Sequence, residues 1–274
     1  MRYGVEIVSL GPLADPPTVV ALAVAAETAG YELVAVWDHL AFAWGIPSAD
    51  ALVTLSAVAQ ATERVKLLPF VMPLARHRPH VLAHQLALLD RLSGGRLVLG
   101  AGLGGVPDEF TSFGEPGGTA ERAQRTDEAL EIISGLWSGG PVQHAGRHFE
   151  VRDVALAPLP VQRPRPPIWI GGESEGALRR AARWDGWGLT GVDEAGQMVK
   201  EPAQVAAIVR RLADHGAGIG TDFEIAISGV SARYGGADPR AYAAAGVTWW
   251  LESLSPSFGD LDQLRHRVLA GPGG

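Results

Sequence analysis

The sequence predicts an α/β protein, a single (β/α)8 TIM barrel spanning residues 1–274. Three observations carry that expectation. Short β-branched runs alternate with longer segments of helical period along the whole chain, the pattern of parallel βαβ units. The alternation supplies eight strand-and-helix pairs, the number that closes a parallel barrel. The first strand ends in Ser9-Leu10-Gly11-Pro12-Leu13, without the glycine-rich turn that an open doubly wound sheet places there for a dinucleotide.

The first strand is expected over Tyr3–Leu10. A helix over Pro17–Ala29 follows, capped by Asp15 and stopped by Gly30. Strand two, Leu33–Trp37, leads through a loop to a helix capped at Ser48 that runs to Arg64. Strand three, Val65–Met72, contains Pro69, which marks a bulge or an irregular strand end. The helix Pro79–Leu92 stops at Ser93-Gly94-Gly95, and strand four is Leu97–Gly102. A helix over Thr119–Trp137 ends in Ser138-Gly139-Gly140. The remaining strands are Pro167–Gly171, Gly186–Thr190, Phe223–Val230 and Val247–Leu254, with helices over Glu175–Trp184, Glu201–Ala213, Pro239–Ala245 and Asp260–Leu269. Between strands four and five, Pro141–Pro166 shows no helical period and is rich in proline. It is expected to be an irregular insertion, with a small hairpin in Gln143–Glu150 turning at Ala145-Gly146.

Composition narrows the function. At 274 residues with 47% hydrophobic content, the chain can bury a core without staples. A net charge of −7 leaves no concentrated basic face for nucleic acid and argues against an anionic membrane surface. The cysteine count of 0 excludes disulfides, thiolate metal sites and cysteine nucleophiles. No apolar run approaches the roughly 20 residues of a membrane span, and Met1-Arg2 leads directly into the first strand. The expected setting is cytoplasmic, and the expected partner is a small-molecule substrate.

In such a barrel the chemistry lies where strands end and helices have not begun. After strand two stand Asp38 and His39, a carboxylate beside an imidazole that titrates near neutrality; the aromatic residues Phe42 and Trp44 follow and suit pocket walls. An Asp-His pair is also an ordinary turn cap with a satisfied imidazole, and only its position favours chemistry. After strand four comes Gly100-Ala101-Gly102-Leu103-Gly104-Gly105, whose glycines permit close backbone approach to a flat ligand. After strand five comes Gly171-Gly172-Glu173-Ser174, which opens a helix and suits either a phosphate or a plain cap; Glu173 and Glu175 would repel a dianion unless turned away. Arg76-His77-Arg78, with His80 and His84, reads as a solvated basic surface. No metal site is expected. His148, in the insertion, is a candidate for the pocket mouth.

Several of these segments together resemble the luciferase-like monooxygenase family of flavin- and deazaflavin-dependent oxidoreductases. The matching pieces are Val36-Trp37-Asp38-His39-Leu40, Pro79 through Arg96 into Leu99-Gly100-Ala101-Gly102, Asp108-Glu109-Phe110 with Phe113-Gly114, Arg125-Thr126-Asp127-Glu128, Gly146-Arg147-His148-Phe149, Pro166 to Gly172, and Arg183-Trp184-Asp185-Gly186-Trp187. They occur in the family's order and cover most of the chain. The resemblance implies a cofactor at the top face, with His39 as proton donor or acceptor beside the reactive ring and Asp38 near its polar edge. It implies that Pro69-Phe70 backs the ring in a bulge, where family members often have a non-proline cis peptide. It also implies that Gly102 to Asp108 lines the cofactor, that Gly171, Gly172, Glu173 and Ser174 cradle its phosphate, and that Phe42, Trp44, His148 and Trp187 border the substrate pocket. The Asp-His form looks more like the branch using coenzyme F420 than the branch using FMN. Gly105 stands where the sugar dehydrogenases of this family carry an acid, which argues against that activity. The expected activity is hydride transfer between F420 and a small organic substrate, with FMN-dependent monooxygenation as the alternative. A non-catalytic flavin-binding barrel is the rival of another class. The family resemblance further suggests a homodimer.

Overall fold

The computed structural model describes residues 1–40, 45–193 and 195–273. Phe42 and Trp44, the two proposed pocket aromatics, lie outside them. Numbered along the chain, the barrel strands are β1 (Arg2–Ile7), β2 (Leu33–Val36), β3 (Lys66–Pro69), β4 (Met72–Pro73), β5 (Leu99–Gly102), β8 (Ile168–Gly171), β9 (Gly186–Leu189), β10 (Glu224–Gly229) and β11 (Trp249–Leu254). All pair in parallel, in the order β3-β2-β1-β11-β10-β9-β8-β5-β4. β3 and β4 are two pieces of the third barrel strand: the first pairs with β2, the second with β5. A bridge between Leu67 and Leu97 brings the two ends of the order together. The Phe70–Val71 peptide between the pieces is cis, so the bulge expected at Pro69 is present one residue later.

The surrounding helices are α1 (Pro16–Thr28), α2 (Ala51–Ala61), α3 (Pro79–Leu92), α4 (Asp108–Thr111), α5 (Thr119–Trp137), α6 (Glu175–Ala181), α7 (Pro202–Asp214), α8 (Pro239–Ala244) and α9 (Leu261–Leu269). Asp15 caps α1 by accepting from the Thr18 N–H. The cap of α2 is Asp50, whose carboxylate accepts from Val53 N at 2.8 Å. Ser48, expected in that role, instead bridges to Leu10. Strands run shorter than their apolar stretches because side chains flanking a strand can be buried without joining the ladder, as Val65 and Val230 are.

Strand alternation sorts the core into two layers. Val34 and Val36 face the helices, while Leu33 and Ala35 face inward and join Leu68, Phe70, Trp169, Trp249 and Leu251 to fill the barrel. The insertion does contain a hairpin, β6 (Val142–Ala145) with β7 (Glu150–Val154). Its turn is fixed by Glu128 of α5, which accepts from the backbone N–H groups of Arg147, His148 and Phe149. The insertion's far end is held by the fully buried Asp90, which accepts from Val161 N at 2.8 Å and Gln162 N at 3.0 Å.

Candidate active site

The strand-two end folds into a charged cluster. Glu109, on the first turn of α4, is buried beneath it, and its Oε1 lies 3.0 Å from His39 Nδ1 and 2.7 Å from Leu40 N. Its Oε2 accepts from Arg76 Nη1 at 2.9 Å. Arg76 reaches on to Asp38, with Nη2 2.9 Å from Oδ2, and His77 Nε2 lies 3.5 Å from the same oxygen. Burial alone would raise both carboxyl groups. For Glu109, His39, the Leu40 N–H and Arg76 outweigh it; for Asp38, His77, Arg76 and His39 do. Both therefore sit below the usual carboxylate range. An ionised Glu109 can only accept, so His39 Nδ1 carries its hydrogen.

This cluster corrects the reading of Arg76-His77-Arg78. Arg78, His80 and His84 are exposed, as a solvated surface requires. The Arg76 side chain is only 10% exposed and ties two carboxylates together. Gly105 brings no acid here, but Glu109, four residues on, places a carboxylate against His39.

Trp37 packs edge-on against His39, with ring centroids 5.4 Å apart. Its other side walls a cavity of about 380 Å3 that Val8, Thr190, Val192, Ser253 and Phe258 also line. At the base of this wall lies Glu6, fully buried on β1. It accepts from Trp37 Nε1 at 3.1 Å, Thr190 Oγ1 at 3.1 Å and Ser253 Oγ at 3.0 Å. Burial pushes its carboxyl above the ordinary range despite these donors. Sequence reading missed Glu6. The available signal was a carboxylate between Val5 and Ile7 in a parallel strand buried on both faces.

On the opposite wall, the bulge is accommodated by glycine. A Cβ on Gly102 would stand 2.4 Å from Val71 Cγ2, and one on Gly171 2.7 Å from Val71 Cγ1. Phe70 points into the barrel, against Gly188. The residue presented between Gly102 and Gly171 is thus Val71, not Phe70. Pro69 is buried within β3.

The remaining candidates separate. Ser174 caps α6, its Oγ accepting from Ala177 N at 3.2 Å, which leaves the hydroxyl hydrogen to donate elsewhere. Glu173 pairs with Lys200 at 2.9 Å, and Glu175 with Arg211 and His215, so neither acid is left uncompensated beside that turn. Asp108 is exposed. Trp187, expected at the pocket, is fully buried on the helix side of the sheet and donates to Gly172 O at 2.6 Å; alternation puts Gly186 and Gly188, not Trp187, inside. His148 lies against α5, with Nε2 3.1 Å from Gln124 Oε1, and takes no part in the cavity beside Trp37. One further residue emerges. Arg122, in the first turn of α5, is 5% exposed and packs over Phe110, and its Nε and Nη1 have no hydrogen-bond partner among the described residues. Thr126 Oγ1, one turn on, is likewise buried with no partner among the described residues. Arg180 of α6 pairs with Asp127 at 2.7 Å, tying α5 to α6. A buried guanidinium on the helix that Arg180 ties to α6 suits a bound anion.

Parallel strands closed with helices outside, with Asp38, His39, Arg76 and Glu109 clustered at the end of strand two, define a (β/α)8 barrel with a charged site at its top face. The family comparison agrees: residues 4–257 match the model of the luciferase-like monooxygenases, and the chain belongs to that family. An uncharacterised protein of Mycobacterium tuberculosis (strain ATCC 25618 / H37Rv) is 32% identical over 222 residues, 74% of either chain. An FMNH2-dependent dimethylsulfone monooxygenase of Pseudomonas putida is 32% identical over 171 residues, 62% of this chain and 47% of that protein. The fold resembles that of the monooxygenase RslO1 from Streptomyces bottropensis, with a TM-score of 0.80, 24% identity and 98% of both chains covered. It also resembles an F420-dependent secondary alcohol dehydrogenase, with a TM-score of 0.78, 18% identity and 98% of both chains covered.

Proposed function

We propose that the chain is an oxidoreductase that passes a hydride between coenzyme F420 and a small organic substrate, with His39 handling the proton. The observation that carries this reading is the buried Glu109, which fixes His39 with Nδ1 as donor at the mouth of the strand-two loop. The residues present fit a flavin-type cofactor. Arg122 and the Ser174 hydroxyl would hold its phosphate, Gly102, Gly171 and Val71 would back its ring, and Asp38 with Arg76 would face its polar edge. When bound, the ring supplies the two-electron chemistry. The chain supplies the rest: Trp37 and Val8 exclude water, Glu109 holds the imidazole in one tautomer, and His39 Nε2 gives or takes the proton on the substrate's oxygen.

The P. putida relative favours a second reading, FMN-dependent monooxygenation in the same cavity. Titrating the purified chain with F420 and with FMN, read by quenching of Trp37 fluorescence, separates them. Tight F420 binding with weak FMN binding supports the first reading. The reverse result moves the protein to the second, and failure of both leaves neither standing. A homodimer is part of the proposal, since α2 and α3 expose Val53, Leu88 and Leu92 on adjoining faces; light scattering would return a monomer mass if it is wrong.

A further inference from the structure

Arg267, on α9, is 8% exposed, yet its guanidinium donates no hydrogen bond among the described residues, and Nε is buried without a partner. Its nearest carboxylate is Glu252, at 3.8 Å from Nη2. That carboxylate is already engaged by the Ser231 backbone N–H, the Ser231 hydroxyl and Trp250 Nε1. Arg267 is held instead by stacking, 4.3 Å over the Tyr234 ring and 5.9 Å over Phe258. It opens onto a second cavity, of about 430 Å3. Among the described lining residues Arg267 is the charged one; Gln197, Gln263 and Ser257 are neutral and polar, and none of those described is a carboxylate. Gln263 spends its carbonyl on Asp260 N in the α9 capping box, leaving its amide N–H2 for other acceptors. Ser257 and Phe258 line both this cavity and the one beside Trp37, so the two adjoin.

A buried guanidinium with an unfilled donor fork is costly unless an acceptor reaches it, and a carboxylate or phosphate matches its geometry. We propose that this cavity is an anion seat for the substrate: a carboxylate or phosphate group docks on Arg267 while the reacting carbon lies in the adjoining cavity beside Trp37. The seat lies after strand eight, across the barrel from Arg122, so it is separate from the phosphate position assigned to the cofactor. The substrate half of the proposal rests on the oxidoreductase reading; the anion seat itself does not.

The test is calorimetric titration of the full chain with inorganic phosphate and with acetate. Two variants isolate the seat. Arg267→Met removes the cation but leaves Glu252 buried beside it. Gln263→Glu keeps an acceptor at the capping-box position while adding a negative charge at the cavity wall. At least one anion should bind the wild type, and each variant should weaken that binding about tenfold or more. The heat should persist with F420 or FMN saturating. No binding of either anion, or equal binding to Gln263→Glu, overturns the seat. Displacement of the anion by cofactor overturns the substrate assignment, because the cavity would then hold part of the cofactor. If neither cofactor binds, the functional reading fails while the phosphate and acetate titrations still decide the seat.

Discussion

Glu109→Gln tests the centre of the site. The carboxylate makes three contacts from a fully buried side chain: Oε1 to His39 Nδ1 and Leu40 N, and Oε2 to Arg76 Nη1. An amide has one acceptor for three donors. With its oxygen toward His39 and Leu40, its N–H2 meets Arg76; turned over, it meets the imidazole N–H and the Leu40 amide. Breaking one partner of a buried charged set costs about 3–5 kcal/mol. For a domain of this size that lowers Tm on the order of 10 °C. The pH dependence must change too. In the wild type, Glu109 is held below the ordinary range, so its contribution is complete above the unfolded-state pKa and is lost as pH falls through the folded-state value. Subtracting the Glu109→Gln melting curves from wild type across the acid range should give a difference that shrinks with falling pH. The pH–rate profile of turnover should also change in the variant, because the group that orients the imidazole has changed. A variant that melts within about 1 kcal/mol of wild type, with an unchanged pH–rate profile, would refute the network.

Three further outcomes follow from the same geometry. His39→Ala should leave cofactor affinity intact while turnover falls by about 10²–10⁴; unchanged single-turnover rates would remove His39 from the chemistry. Gly102→Ala places a methyl where the Val71 side chain already stands, 2.4 Å from Cγ2, and should weaken cofactor binding about tenfold. Adding Val71→Ala should restore it, and a double variant as weak as the single one would show that the Val71 wall is not the ring's backing. Glu6→Gln bears on alkaline stability. Because burial raises the Glu6 carboxyl, its stabilising contribution is complete below the ordinary glutamate range and is lost as pH rises through the folded-state value. The variant should lack that decline as pH rises above the ordinary glutamate range; parallel Tm–pH curves would contradict it.

How far the sequence discloses this molecule depends on how local each feature is. The barrel is legible because every βα unit carries its own period, cap and stop, as α3 does over Pro79–Leu92 with expected and observed bounds identical. Trp187 was misread because position in a strand was weighed without parity. Gly186 and Gly188 in the same run require small side chains inside and therefore send the indole outward. Arg76 was misread because a basic run looks solvated when its partners are unknown, and those partners stand 33 residues away at Glu109 and 38 residues away at Asp38.

The charges at the top face follow from that non-locality. Asp38 and Glu109 come from the ends of different strands, and Arg76, arriving from a third, pairs with both; His77 adds to it at Asp38, and His39 and the Leu40 N–H at Glu109. Glu6, hydrogen-bonded to Trp37, receives only neutral donors and, among the described residues, has no cation near enough to hold its charge. Thus one end of the Trp37 wall carries a fixed anion behind His39, and the other a carboxyl biased toward its neutral form. That asymmetry suits the role proposed for His39: Glu109 orients the imidazole, while on the Glu6 side burial works against ionisation. Replacing Thr190 or Ser253 with a lysine would ionise Glu6, so the proposal implies that such a change slows turnover more than it weakens cofactor binding.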